Sequence, residues 1–357
     1  LGMGKVKEKD ETAGTATLLA LVMWAVFATV SFFLMPKYAG MSTKSPEIIK
    51  KVVTYGRIVS VLSIGLFLES AWTKVLQSEG NMKLPMIAQI VGAVINIILD
   101  YLLIFGIGFF PALGIAGAAV ATVTGQIAAA VIVMTKGFRK SPPLSVYKKY
   151  VKKIYYLGFP NILMQSAYTF YIFGLNMILK GFSDQAVTTL GLYYKWQSFF
   201  FIPLGAMQTC IVPVISYNYG AGMYDRCKKT LKDAVIFGWT LMIIGTLCFE
   251  IIPGPMLRVF SRDAKVIEIG VNAFHIIGMS FILLVTSLTF PVYFQAIGQS
   301  VKSSLLTVLR TVVLFVPLGW LFSKLGLKYF WCTFPVTEFI TTAAGLIMLK
   351  RFRGNYE

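Results

Sequence analysis

Few side chains in this sequence combine ionic chemistry with an apolar setting. Glu69, Asp100, Lys195, Arg310 and Glu338 all fall inside long apolar stretches. An ionised side chain near a bilayer centre costs about 2.5–3.5 kcal/mol even on lenient insertion scales, so each is a candidate site. Asn96 lies four residues before Asp100. That spacing puts an amide and a carboxylate on one helical face, where together they could hold a proton or a small cation. The plainer alternative is a carboxylate near the interface bonded to local amides. Glu69 has two readings: it pairs with Lys74, or it faces Asp100 from a neighbouring helix, where two close carboxylates share a proton or bind a cation. Arg310 and Glu338 have opposite signs and, with Lys195, make a candidate network that is either structural or functional. As a cation in a cavity, Lys195 would favour neutral, zwitterionic or anionic substrates. Gln126, Gln165, Asn176 and Gln295 complete the polar residues that could line a substrate cavity, with helix–helix hydrogen bonding as their other use. The single histidine, His275, reads as a packed or interfacial residue, with a proton relay as the alternative.

The chain that must position these groups has 357 residues, is 57% hydrophobic and 13% charged, and has a mean hydropathy of +0.73. Soluble domains carry about 25% charged residues, so a soluble enzyme, a disordered chain and a disulfide-built secreted domain are all excluded. Apolar blocks fall at about 15–35, 55–78, 84–106, 112–135, 154–179, 186–217, 231–252, 267–294, 303–322 and 329–349. Blocks of that length cross a hydrocarbon core of about 30 Å as helices, and they lack the short alternation of barrel strands. The expected fold is an all-α polytopic membrane protein with ten transmembrane helices. Net charge is +18, but the basic residues sit in the joints between blocks, and no nucleic-acid motif accompanies them. If the first joint is cytoplasmic, that side holds nineteen Lys and Arg and the other ten. The joint 136–153, with seven basic and no acidic residues, is the strongest marker and places both ends of the chain in the cytoplasm. The four cysteines lack metal-ligand spacing and read as small buried residues. Neither an HExxH zinc motif nor a GxSxG elbow is present, so no cofactor and no catalytic centre are expected.

The sequence also repeats. An offset of 218 places Gly4 on Gly222, Thr12 on Thr230, Gln77 on Gln295 and Gly80 on Gly298, and an offset of 212 places Leu113-Gly114 on Leu325-Gly326. The reading is a duplicated unit, divided as residues 1–140 and 141–357, with the same orientation in both halves. Helices five and six precede the second copy without a counterpart before Leu1, so the full plan is expected to hold twelve helices.

Segments common to the two halves resemble the multidrug and toxic compound extrusion family. They include Pro213-Val-Ile-Ser-Tyr-Asn-Tyr-Gly-Ala-Gly222, Asn96-Ile-Ile-Leu-Asp100, the small-residue run from Gly114 to Gln126, Phe294-Gln-Ala-Ile-Gly298, and Arg310 followed by Pro317. The resemblance implies two helical bundles and export of small organic, drug-like compounds across the cytoplasmic membrane in exchange for H⁺ or Na⁺, by alternating access. It implies ion coupling at Asp100 with Asn96 and Glu69, the last standing where the family commonly has Asn. The residues read as contributing to the substrate cavity are Gln126, Gln165, Asn176, Lys195, Gln295, Arg310 and Glu338. The partners expected are a small-molecule substrate and the lipid bilayer, with no nucleic acid, and the protein is expected to act as a monomer. Three rivals stand beside this: a flippase for lipid-linked saccharides, a membrane-embedded enzyme, which needs an interfacial Asp/His/Arg cluster that is not visible, and a channel.

Overall fold

The computed structural model describes residues 1–42, 45–108 and 110–353, and among them only helices are regular. Among the described residues eight helices are long and apolar enough to cross a membrane, or up to ten spans if each of two bent helix pairs is counted as one. The chain divides into two compact units, Met3–Ile154 and Tyr155 onward, with Leu1 joining the first and Gly2 the second.

The first unit contains α1 (Val6–Ser42), α2 (Pro46–Val61), α3 (Ile64–Ser78), α4 (Lys83–Phe105), α5 (Ile115–Gly137) and the opening turns of α6 (Leu144–Lys180). Its boundary lies inside α6, whose first turns are tied to α1. The Tyr150 hydroxyl donates to Glu11 Oε2 at 2.5 Å, and Lys149 stands 4.0 Å from Glu8. The bond to Glu11 pushes the Tyr150 hydroxyl pKa up to about 12. At the same end, Arg139 bridges Asp10 (3.2 Å) and Glu79 (2.7 Å), and Lys9 reaches both carboxylates.

The second unit holds the rest of α6, then α7 (Asp184–Gly220), α8 (Tyr224–Ile251), the short α9 (Pro253–Arg258), α10 (Ala264–Gly278) and α11 (Phe281–Ala296). After these come α12 (Ser300–Val308), a π-helical segment (Leu309–Phe315), α13 (Val316–Ser323), the short α14 (Leu327–Phe330) and α15 (Thr333–Arg353). Its core is aromatic: Tyr171, Tyr193, Phe249, Phe274, Phe281, Phe315, Trp331 and Phe334 are all buried. Ser183 starts α7 by accepting from the Ala186 amide, and Asp263 starts α10 by accepting from the Lys265 amide, each satisfying an N–H that the helix cannot. Cysteine placement meets expectation in part: Cys227 is buried and Cys248 and Cys332 are half-buried, but Cys210 is exposed on α7.

Two expected spans, 55–78 and 267–294, are each broken in the middle. α2 and α3 meet at 43°, and α10 and α11 at 56°. A serine marks each break. Ser63 donates to the Ser60 carbonyl at 2.7 Å, and Ser280 donates to the Ile277 carbonyl at 2.6 Å. A hydroxyl bonded back to its own helix competes with the backbone ladder. The duplicated loops also share their backbone: Gly4 and Gly222 have φ of 70° and 75°, and Gly80 and Gly298 have 80° and 76°. At each of these turns only glycine avoids a steric penalty.

In the first unit α4 and α5 run against each other through glycine. A Cβ on Gly125 would lie 2.5 Å from the Gly92 carbonyl oxygen, and one on Gly92 would lie 2.7 Å from that of Gly125. Gly117 and Gly125 are thus the close-packing points of the small-residue run, as small residues are between membrane helices, while a Cβ on Gly114 would meet nothing within 4 Å. Gly125→Ala is expected to destabilise by about 1–3 kcal/mol through overpacking, seen as a lower thermal midpoint in detergent. Gly40→Ala, with nothing within 4 Å of its Cβ position, should not lower it.

Candidate functional site

Three of the residues identified in the sequence lie along the α4–α5 pair. Gly92, Asn96, Asp100 and Leu103 form one stripe of α4. A Cβ on Gly125 would stand 3.1 Å from Asn96 Cβ, and one on Gly117 would stand 2.6 Å from the Leu103 carbonyl oxygen. Asp100 therefore lies between two points of backbone contact with α5, and Gln126 follows Gly125 directly. Asn96 Nδ2, Asp100 Oδ1 and Gln126 Oε1 are all buried with no hydrogen-bond partner among the described residues. A buried polar atom left unmet costs about 1–3 kcal/mol. Three of them on one helix pair, supplying a carboxylate, a donor amide and an acceptor amide, are suited to a proton or small cation.

Glu69 does not share this place. It is 5% exposed and accepts a 2.6 Å bond from Thr73 of its own helix. α3 runs parallel to α5: a Cβ on Gly65 would touch Ile127, and one on Gly137 would touch Trp72. α4 runs antiparallel. Glu69 thus lies level with about residue 131 of α5 and Asp100 with about residue 121, some 15 Å apart along the helix at about 1.5 Å per residue. The two carboxylates are not a proton-sharing pair. Nor does Glu69 pair with Lys74, whose Nζ turns to Gln77 at 3.1 Å.

In the second unit Arg310 and Glu338 do meet. Arg310 Nη2 donates to Glu338 Oε1 at 2.6 Å, and Nε lies 3.1 Å from both carboxylate oxygens. Glu338 is wholly buried, and Arg310 is 6% exposed. The Ser287 hydroxyl donates to Glu338 Oε2, and the guanidinium lies 4.9 Å from the Phe315 ring. Arg310 belongs to the π-helical segment, a deviation that concentrates at functional positions. Sequence reading missed Ser287, although its offset of 218 from Glu69 singles it out.

Lys195 takes no part in this network. It is exposed, with its ammonium 4.8 Å from the Phe260 ring. Asn176 spends its amide on the Ile172 carbonyl (2.9 Å), Gln165 is exposed, and Gln295 is half-buried beside the turn at Gly298. His275 Nδ1 is 2.9 Å from Glu250 Oε2, so the lone histidine is bonded to a carboxylate at the end of α8. A pocket of about 470 Å³, with Tyr219, Arg226 and Phe352 in its wall, contains none of the residues singled out as sites. Among the described residues no three His, Cys, Asp or Glu come together as a metal-binding group.

Comparison with known proteins gives a consistent family. The MatE family model matches residues 1–102 and 160–321. The multidrug export protein MepA of Staphylococcus saprophyticus is 25% identical over 288 residues, covering 78% of this chain and 62% of that protein. The FAD transporter of Shewanella oneidensis is 25% identical over 374 aligned positions, covering 98% and 79%. The crystal structure of the Vibrio cholerae MATE transporter VcmN superposes with a TM-score of 0.90 at 20% identity over 99% of this chain and 81% of that one, a likeness of fold.

Proposed function

Because the chain belongs to the MatE family of membrane transporters, we propose that it exports small organic compounds across the cell membrane in exchange for H⁺. The observation that carries this reading is the α4–α5 crossing, where Asn96, Asp100 and Gln126 present three unmet polar atoms in an apolar bundle. A neutral, protonated Asp100 suits that interior, and an ionised Asp100 suits an opened one. Gain and loss of one proton would then change which state of the helix pair is favoured, as alternating access requires. Substrate and proton compete because both need the same carboxylate.

The test is ethidium uptake by inside-out vesicles carrying the protein, under an imposed H⁺ or Na⁺ gradient. Uptake driven by H⁺ alone supports the proposal. Uptake driven only by Na⁺ replaces the coupling ion, and none under either gradient removes the antiport reading.

A second reading concerns the substrate. The Shewanella relative named for FAD aligns with nearly the whole chain, and an anionic aromatic cargo would suit the exposed Lys195. Gradient-driven uptake of FAD by the same vesicles distinguishes it. A flippase of lipid-linked saccharides is not favoured, since the relatives given above are named as a multidrug export protein and an FAD transporter.

A further inference from the structure

We infer that the first unit carries a second proton-binding site at Glu69, separate from Asp100. Its part in transport rests on the antiport reading; its existence does not.

Glu69 is a buried carboxylate for which the described residues supply no cation. Its bonded partner is the Thr73 hydroxyl, at 2.6 Å. α1 packs against α3, with the Trp72 indole bonded to Thr17 at 3.1 Å. The charged residues of α1 are Lys7, Glu8, Lys9, Asp10 and Glu11 at its start and Lys37 near its end, so none is level with Glu69. α5 carries only Lys136, in its last turn, and α4 only Lys83 and Asp100. Beyond the break, α2 has Glu47 and Lys51 paired at 2.6 Å, exposed Lys50, Tyr55, and Arg57, which bonds the Phe32 carbonyl at 3.1 Å. On α3 itself Lys74 is turned to Gln77.

The internal repeat shows what this position lacks. Glu69 corresponds to Ser287 and Gly92 to Arg310 at the 218 offset, and Gln126 corresponds to Glu338 at the 212 offset. In the second unit the three counterparts form a closed set: hydroxyl, carboxylate and guanidinium, all bonded. In the first unit the carboxylate has moved to the α3 position, an amide stands on α5, and glycine stands where the guanidinium would be. Gly92 leaves no room for a cationic side chain, because its Cβ would already lie 2.7 Å from the Gly125 carbonyl oxygen. A buried carboxylate without such a partner costs several kcal/mol as an ion and relieves the cost by taking up a proton from solution, –COO⁻ + H⁺ giving –COOH. Glu69 and Thr73 offer fewer oxygens than hard metal cations gather, so the ligand assigned is the proton.

Two stations some 15 Å apart along the length of α5, one under α3 and one under α4, with Gln126 between their levels, would let a proton enter at one level of the unit and leave at another. The test reads protonated carboxyl groups directly, by infrared difference spectra of the protein in liposomes between high and low pH, without substrate or gradient. Glu69→Gln should delete one carboxylic-acid C=O band and Asp100→Asn another, each leaving the other band and its midpoint in place. Glu69→Asp, which keeps an acid, should move the Glu69 band and guards against a misfolded Gln variant. The inference is overturned if neither Glu69 variant changes the spectrum, if Asp100→Asn moves the Glu69 midpoint by tenfold or more in proton affinity, or if Na⁺ at fixed pH removes the band. A protein that transports by another means still shows both bands, so failure of the antiport reading is seen separately in the vesicle assay.

Discussion

Asp100→Asn should lower H⁺-driven ethidium uptake about 100-fold or more, the scale on which removal of a positioned proton carrier is felt. The substitution keeps the side chain's size and an acceptor oxygen, so the α4–α5 contact at Gly92 and Gly125 should survive. Only the capacity to gain and lose a proton goes. Initial uptake rates at matched protein levels check this. Asn96→Ala serves as a second probe, since it removes the amide one turn away and leaves the carboxylate. Uptake equal to that of the unaltered protein in Asp100→Asn would make Asp100 a structural residue.

The largest stability effect is expected at the other charged cluster. Glu338→Ala leaves the Arg310 guanidinium buried without its counter-charge, and removing one partner of such a pair typically costs about 3–5 kcal/mol. The thermal midpoint in detergent should fall accordingly. Replacing both members with apolar residues of similar volume, Arg310→Met with Glu338→Leu, should restore most of it. The double variant should also transport, since coupling is placed in the first unit. A stable but inactive double variant would make the pair part of the transport machinery.

These expectations show how far the residues speak for themselves. Asn96 and Asp100 share a face by their spacing alone, and the repeat could be found from glycines whose turns demand a left-handed backbone, such as Gly80 and Gly298. The ten apolar blocks were readable because the bilayer sets their length. The two breaks were not, because the Ser63 and Ser280 hydroxyl bonds that accompany them leave hydropathy unchanged. The separation of Glu69 from Asp100 was likewise hidden. It depends on the axial register of α3, α4 and α5, set where Gly65, Gly92 and Gly125 let backbones touch, and no spacing within one helix reports that. That Lys195 stands apart from Arg310 and Glu338 was hidden for a related reason: its ring partner, Phe260, lies beyond α9, far away in the chain.

The central claim is that substrate and proton exclude each other at Asp100. Its most direct test is the pH change on adding ethidium to the purified protein in weakly buffered detergent solution. Release of protons that saturates with ethidium binding, and is lost in Asp100→Asn, is the predicted result. Saturable ethidium binding with no proton release at any starting pH would contradict it.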